Sequence, residues 1–370
     1  MKTVRRLFYV DIISSVVFVA LAFLSLFFFI DFVDALSDAA RRGSGAVFAA
    51  AWSLLELPGH LYELAPIAVL IGTIYALSRM AQSSEFTILR TGGLGPGRAL
   101  SLLAGLGLAF GVFTLVVGDY LAPLAERQAV QMQALSRGSV PQGASGAWLK
   151  DKQGSPAGDR SYSINIGRTG AAGMLEDIRI FEFDGDGRML RRIAARSGQV
   201  DADARWTLAQ ATVTAWPTAA SGPQAALQQQ TLAQWEWQSN LSASVVAAAV
   251  LPLSTMSTLE LRAYIGHLDD NEQAAQQYEI QFWKRALYPF ACLVMVALAL
   301  PFAYLHARAG GISLKVFGGI MLGISFVLLN NVASHLGLLR GWTPWLVAAA
   351  PSALYLLMSL AAFTWLVRYR

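Results

Sequence analysis

The sequence predicts a membrane α-helical protein of six transmembrane helices, grouped three and three, with an all-β domain of jelly-roll type inserted between the groups. Three observations lead there. The 370 residues are 55% hydrophobic and only 14% charged, against about 25% charged in soluble domains. Apolar runs long enough to cross a bilayer lie at both ends of the chain. Between Asp119 and Trp283 the hydropathy collapses and short alternating segments take over, a stretch too long to be a plain loop.

A hydrocarbon core about 30 Å thick needs roughly 20 apolar helical residues. Ile12–Ile30 is uncharged and rich in Phe, Val and Leu. It is longer than the core of a secretory signal, and Asp31, Asp34 and Asp38 follow it, so it reads as an uncleaved span. Leu57–Ser78 is interrupted by His60 and Glu63, yet a second crossing is needed to return Arg79 to the side of the amino terminus. Ala99–Gly118, Ala286–Leu305, Val316–Leu339 and Trp342–Val367 complete the six. Short loops on one side would carry Lys2, Arg5, Arg6, Arg79, Arg90, Arg98, Arg308, Lys315, Arg368 and Arg370, and those on the other only Arg41, Arg42 and Arg340. The positive-inside rule therefore places both termini in the cytoplasm and the inserted domain outside it.

Inside the insertion, Ser161–Gly167 alternates Tyr162, Ile164 and Ile166 with Ser163 and Asn165. Two strands flank an Asp-Gly turn at Asp184–Gly187, and a further strand begins at Arg205 and stops at Pro217. Such strands at near-regular spacing suggest a sandwich or jelly roll. Ser136–Gly146 and Ala219–Gln230 read as long loops. The return to the membrane runs through an amphipathic helix with Ser257 and Glu260 in capping-box spacing and Leu261, Tyr264, Ile265 and Leu268 on one face. The predicted parts are 1–123, with a cytoplasmic helix over about 80–91; 124–256, the β domain; and 257–370, the amphipathic helix and three spans.

Chemistry within the chain is sparse. The single cysteine, Cys292, cannot form an intrachain disulfide, and His60, His267, His306 and His335 have no metal-ligand spacing. Gly92 and Gly97 have P-loop spacing, but Arg98-Ala99 stands where Lys-Ser/Thr is required. None of the lysines (Lys2, Lys150, Lys152, Lys284, Lys315) follows a glycine. No enzyme constellation emerges and no cofactor is expected in this chain.

Polar groups at the membrane are better clues, because they are costly unless used. Lys284 and Arg285 head the fourth span on the outer side; they either snorkel to headgroups or meet an anionic ligand. Arg41 and Arg42 stand on the same side and offer the same two readings. Asn330, Asn331 and His335 are expected to hydrogen-bond between helices. In the cytoplasmic loop, a helix bearing Glu85 with Phe86, Ile88 and Leu89 on its apolar face either rests on the bilayer or docks into a groove on another protein.

Residues 57–93, "LPGHLYELAPIAVLIGTIYALSRMAQSSEFTILRTGG", resemble a segment of the LptF/LptG permeases of the lipopolysaccharide export ABC transporter. "TLELRAYIGHLDDN" followed by "YEIQFWKRALYPFACLVMVALALPF" resembles a second segment of that family, and Phe32–Asp34 is more similar to its LptG branch. The resemblance implies a bacterial inner-membrane subunit with a periplasmic β domain, paired with LptF. It implies a coupling helix, with Glu85, Phe86, Ile88, Leu89 and Arg90, docked on an LptB dimer that holds the ATP and magnesium. It implies lipopolysaccharide-binding cations at Arg41, Arg42, Lys284 and Arg285, lateral gates at the first and fifth spans, and delivery of lipid to LptC and a periplasmic LptA bridge. Two rival expectations stand beside it: a permease for another lipid or lipoprotein, and a membrane-anchored periplasmic scaffold.

Overall fold

The computed structural model describes residues 2–42, 45–85, 88, 91, 95–137, 146–154, 159–169, 174–201, 203–217, 226–250, 253–271, 273–304 and 311–368. The chain forms two compact units, Met1–Glu126 with Gln276–Arg370, and Arg127–Ala275.

Among the described residues, the first unit holds six helices long and apolar enough to cross a membrane. They are α1 (Lys2–Arg42), α2 (Ala46–Gln82), α3 (Pro96–Val116), α7 (Gln276–Tyr304), α8 (Ile312–Arg340) and α9 (Pro344–Arg368). A π-helical turn, Val117–Leu121, joins α3 to α4 (Ala122–Arg137). All six expected spans are present, and several helices outrun their apolar stretch. At about 1.5 Å per residue α1 is about 60 Å long, twice the hydrocarbon thickness. Polar flanks can stay helical in water, so apolar length marks the crossing and not the helix. The break between α8 and α9 is written locally. Gly341 takes φ +63°, and its own N–H and that of Trp342 both return to the Gly337 carbonyl, a left-handed cap that glycine adopts without a Cβ penalty.

Burial concentrates on α2, where Ala65–Ile74 is buried without a gap. Around it pack Phe8, Ile12 and Val16 from α1, Leu103 and Leu106 from α3, Cys292 and Met295 from α7, Phe326 from α8 and Tyr355 from α9. With no hydrophobic drive between helices in lipid, close van der Waals contact must hold them. Gly72 provides it: a Cβ there would lie 2.5 Å from the Val16 Cα. By contrast α1 turns Val10, Val17, Phe18, Leu21 and Phe29 outward. The expected interhelical bonds of Asn330 and His335 are not what this chain shows. Asn330 donates to the Phe326 carbonyl and His335 bonds the Asn331 carbonyl, both on their own helix. A polar side chain four residues on reaches its own turn without needing a partner. The polar tie from α8 to α9 is instead Ser325 with the Tyr355 hydroxyl, 2.5 Å apart.

The second unit carries an antiparallel sheet of six strands in meander order: β1 (Ala147–Gln153), β2 (Arg160–Thr169), β3 (Leu175–Phe183), β4 (Met189–Val200), β5 (Arg205–Ala215) and β6 (Gln228–Gln238). The expected alternation holds on β2, whose Tyr162, Ile164 and Ile166 are buried. Register places Ile164 opposite Ile180, Ile180 opposite Ile193 and Ile193 opposite Val213, an apolar ladder across four strands. On the β3–β4 hairpin, Gly187 has φ +77° and the Asp184 carboxylate accepts the Asp186 and Arg188 N–H groups. Glu182 on β3 is buried between Arg160 and Arg191 of its two neighbours, at 2.8 and 2.6 Å. Such a pair fixes register more than it adds stability.

Two boundaries differ from expectation. Gln228–Gln230, expected in a loop, pair with Val213–Ala215 as the start of β6, because a neighbouring strand's open ladder outweighs glutamine's weak strand preference. Ser136 and Arg137, also expected in a loop, continue α4. Beyond the sheet come α5 (Ala243–Val250), a 3₁₀ turn (Leu253–Thr255) and α6 (Thr258–Asp270). The predicted capping box is formed at Ser257 and Glu260, and Leu261, Tyr264 and Leu268 are buried. Arg127 of α4 pairs with Glu260.

Burial pushes the His267 imidazole on α6 below its ordinary value, against the opposing pull of Asp151 and the Lys150 backbone. The folded state then binds fewer protons than the unfolded chain. Its contribution to stability is complete above the unfolded value near 6.5 and is lost as pH falls from there through the folded value. Protection factors of β1 amides in the full-length protein are expected to fall as pH drops below about 6.5, and to fall less in His267→Gln. Equal pH slopes in both proteins would contradict this.

Candidate functional site

Two ends of the first unit carry the residues that the sequence singled out. At one end α2 meets the connection to α3. Helix α2 runs to Gln82, and Met80, expected in a separate helix over about 80–91, is fully buried in the core instead. Its apolar side chain is worth more packed among the spans than exposed on a loop. Ser83 donates both its N–H and its hydroxyl to the Arg79 carbonyl, and Ser84 turns left-handed at φ +61°. Beyond that corner Glu85, Ile88 and Thr91 are helical. The Ile88 N–H reaches the Ser84 carbonyl, and the Thr91 hydroxyl reaches the Ile88 carbonyl. Glu85 and Ile88 are exposed, Ile88 at 66%. Phe86, Leu89 and Arg90 lie outside the described residues. Behind the corner, Arg79 pairs with Asp11 of α1 at 3.0 Å.

At the other end α1 gives way to α2. Arg41 lies exposed in the last turn of α1, where the helix dipole favours a cation. Arg42 ends the same helix, and its side chain is outside the described residues. Lys284 and Arg285 stand on α7. The Arg285 Nη1 donates to the Gly118 carbonyl at 3.2 Å, and its guanidinium carbon lies 6.0 Å from the Tyr62 ring centre. Tyr62 packs on Tyr288 with ring centres 4.5 Å apart, and the Tyr288 hydroxyl donates to the Glu63 carbonyl at 2.7 Å. Gly118 sits in the π-helical turn, a type of irregularity that frequently marks functional positions. Arg285 is thus oriented by a carbonyl and an aromatic face, which suits the planar fork of arginine.

Sequence reading missed Tyr62, Tyr288 and Gly118. It also left Asp31 and His60 unexplained, and they pair at 2.8 Å between α1 and α2. The detectable signal was the polar interruption of the second apolar run by His60 and Glu63. Between α1, α2 and α3 lies an apolar crevice of about 450 Å³, lined by Val17, Leu21, Leu61, Ala65 and Phe110 among others.

Two sets of three candidate spans, separated in the sequence by a β unit, define a polytopic class of membrane protein. Residues 6–366 match the family model described as lipopolysaccharide export system permease LptF/LptG. The chain is 25% identical over 352 residues to the lipopolysaccharide export system permease protein LptG of Escherichia coli strain K12, covering 94% of each. It is 24% identical over 317 residues to the protein of the same name from Haemophilus influenzae, covering 82% of each. This chain belongs to the LptF/LptG family of lipopolysaccharide export permeases.

Gly118→Ala tests the brace. A Cβ there would lie 2.2 Å from Tyr62 ring carbons, so the ring under Arg285 must shift. Overpacking of this kind costs about 1–3 kcal/mol. Thermal unfolding in detergent is expected to show a lower midpoint, and an unchanged one would contradict the packing described.

Proposed function

We propose that this chain is the LptG-type half of a permease pair in the bacterial inner membrane, with LptF as its partner, both termini in the cytoplasm and the β unit in the periplasm. The observation that carries this is the family match along residues 6–366 together with LptG-named relatives aligned over 94% of the chain. Lipopolysaccharide enters from the outer leaflet into a cavity between the two permeases. Cations at the mouth, Arg41, Arg42, Lys284 and Arg285, hold its phosphates by charge-assisted hydrogen bonds, and apolar faces of the spans hold its acyl chains. The chain lacks a P-loop lysine, so energy comes from a dimer of LptB carrying ATP and magnesium. Closure of that dimer presses on the segment containing Glu85, Phe86, Ile88, Leu89 and Arg90. The spans pass the stroke outward, and the lipid moves to the β domains, LptC and the LptA bridge.

The exposure of Glu85 and Ile88 beside a fixed corner supports this role for the segment. Glu85→Ala is expected to lower the ATPase that copurifies with the complex by about tenfold, the size of a moderate interface contact. Full copurification with unchanged transport would remove Glu85 from the coupling role. Replacing Arg41, Arg42 and Arg285 together by Ala is expected to weaken the stimulation of ATP hydrolysis by lipopolysaccharide. Undiminished stimulation in that variant would exclude the phosphate-holding role.

A further inference from the structure

Helix α1 is held to its unit chiefly by α2, and two polar clamps join the pair. Asp11 of α1 meets Arg79 of α2 at 3.0 Å, and Asp31 of α1 meets His60 of α2 at 2.8 Å. The two acids immediately bracket the uncharged stretch Ile12–Ile30. At about 1.5 Å rise per residue the clamps stand about 30 Å apart, the thickness of the hydrocarbon core. Between them the backbones approach closely at Gly72 and Val16, where a Cβ on Gly72 would lie 2.5 Å from the Val16 Cα. Arg79 is half-exposed, and an ion pair of that kind adds little stability, so folding alone is a weak reason for polar groups at the edge of an apolar span, where unpaired they are costly. Their use is geometric. A helix pair in apolar contact alone can slide or roll, whereas polar contacts at both ends fix the register.

The position of Arg79 gives this register a consequence. Its carbonyl receives both bonds from Ser83, the residue that closes α2 before the left-handed Ser84 and the Glu85 segment. Its side chain holds α1. We propose that the Asp11–Arg79 and Asp31–His60 clamps lock α1 and α2 into one strut, making these four side chains positioning residues that carry a displacement from the Glu85 corner to the Arg41 end of α1. The inference rests on the transport reading above.

The test uses the assembled complex with its partner subunits in vesicles, reading lipopolysaccharide delivered per ATP hydrolysed. Asp11→Arg and Arg79→Asp, each alone, are expected to lower that ratio about tenfold, the order of a typical coupling effect, with hydrolysis largely retained. The double variant Asp11→Arg/Arg79→Asp restores the pair and is expected to recover most of the ratio, which a general packing defect would not. Full delivery in both single variants, or no recovery in an intact double variant, overturns the proposal. Should the single variants fail to fold, spin labels at the exposed Val33 and Leu54 decide it. Their separation is expected to stay constant with and without trapped nucleotide, and a shift of about one helical turn, ~5 Å, overturns the strut. A complex without any ATPase sinks the transport reading separately; the label separation, compared with and without lipopolysaccharide, then still decides the strut.

Discussion

The close approach of α1 and α2 at Gly72 is the contact on which the membrane unit depends. In lipid there is no water to expel, so helices cohere only as tightly as their surfaces allow. The missing side chain lets the Val16 backbone lie where a Cβ would have been. That approach places α2 at the centre, buried continuously over Ala65–Ile74, with α1, α7 and α8 arranged around it. Because α2 ends at Gln82, just before the Ser83–Ser84 corner, the most buried of the candidate spans stops three residues short of the exposed Glu85.

The candidate residues follow from that arrangement. One end of α2 offers Glu85 and Ile88 outward, and the other lies near Arg41 of α1. On α7, Arg285 is held by the Gly118 carbonyl and the Tyr62 ring. A guanidinium fixed this way is pre-organised, so it would lose less freedom on meeting an anion, as the proposed role requires. The β unit answers a different requirement. Its apolar ladder of Ile164, Ile180, Ile193 and Val213 needs exact register, and the buried Glu182 between two arginines supplies it.

Much of the fold was legible because lipid imposes a severe composition. All six crossings could be seen as apolar runs. The full length of α1 could not, since polar residues after Ile30 serve equally well in a helix or a loop. The second span looked weak because His60 and Glu63 interrupt it; its partner, Asp31, sits on another helix, and pairing across helices leaves no local pattern. Strand β2 announced itself by alternation. Strand β1 was missed because Lys150, Asp151 and Lys152 mask its apolar positions, and β6 because Gln228–Gln230 reads as a linker. The Arg285 cation stood out by its expected place on the outer side, but its acceptor lies 167 residues away at Gly118, and a π-helical turn has no sequence signature.

We propose that this member of the permease family moves lipopolysaccharide with energy supplied by another protein. The most direct measurement is gentle purification of the full-length chain from its native membrane in mild detergent, with mass spectrometry of every protein and lipid that accompanies it. The account predicts lipopolysaccharide together with an LptF-type permease and the LptB ATPase. A different lipid, or a stable preparation without any ATPase, would contradict it.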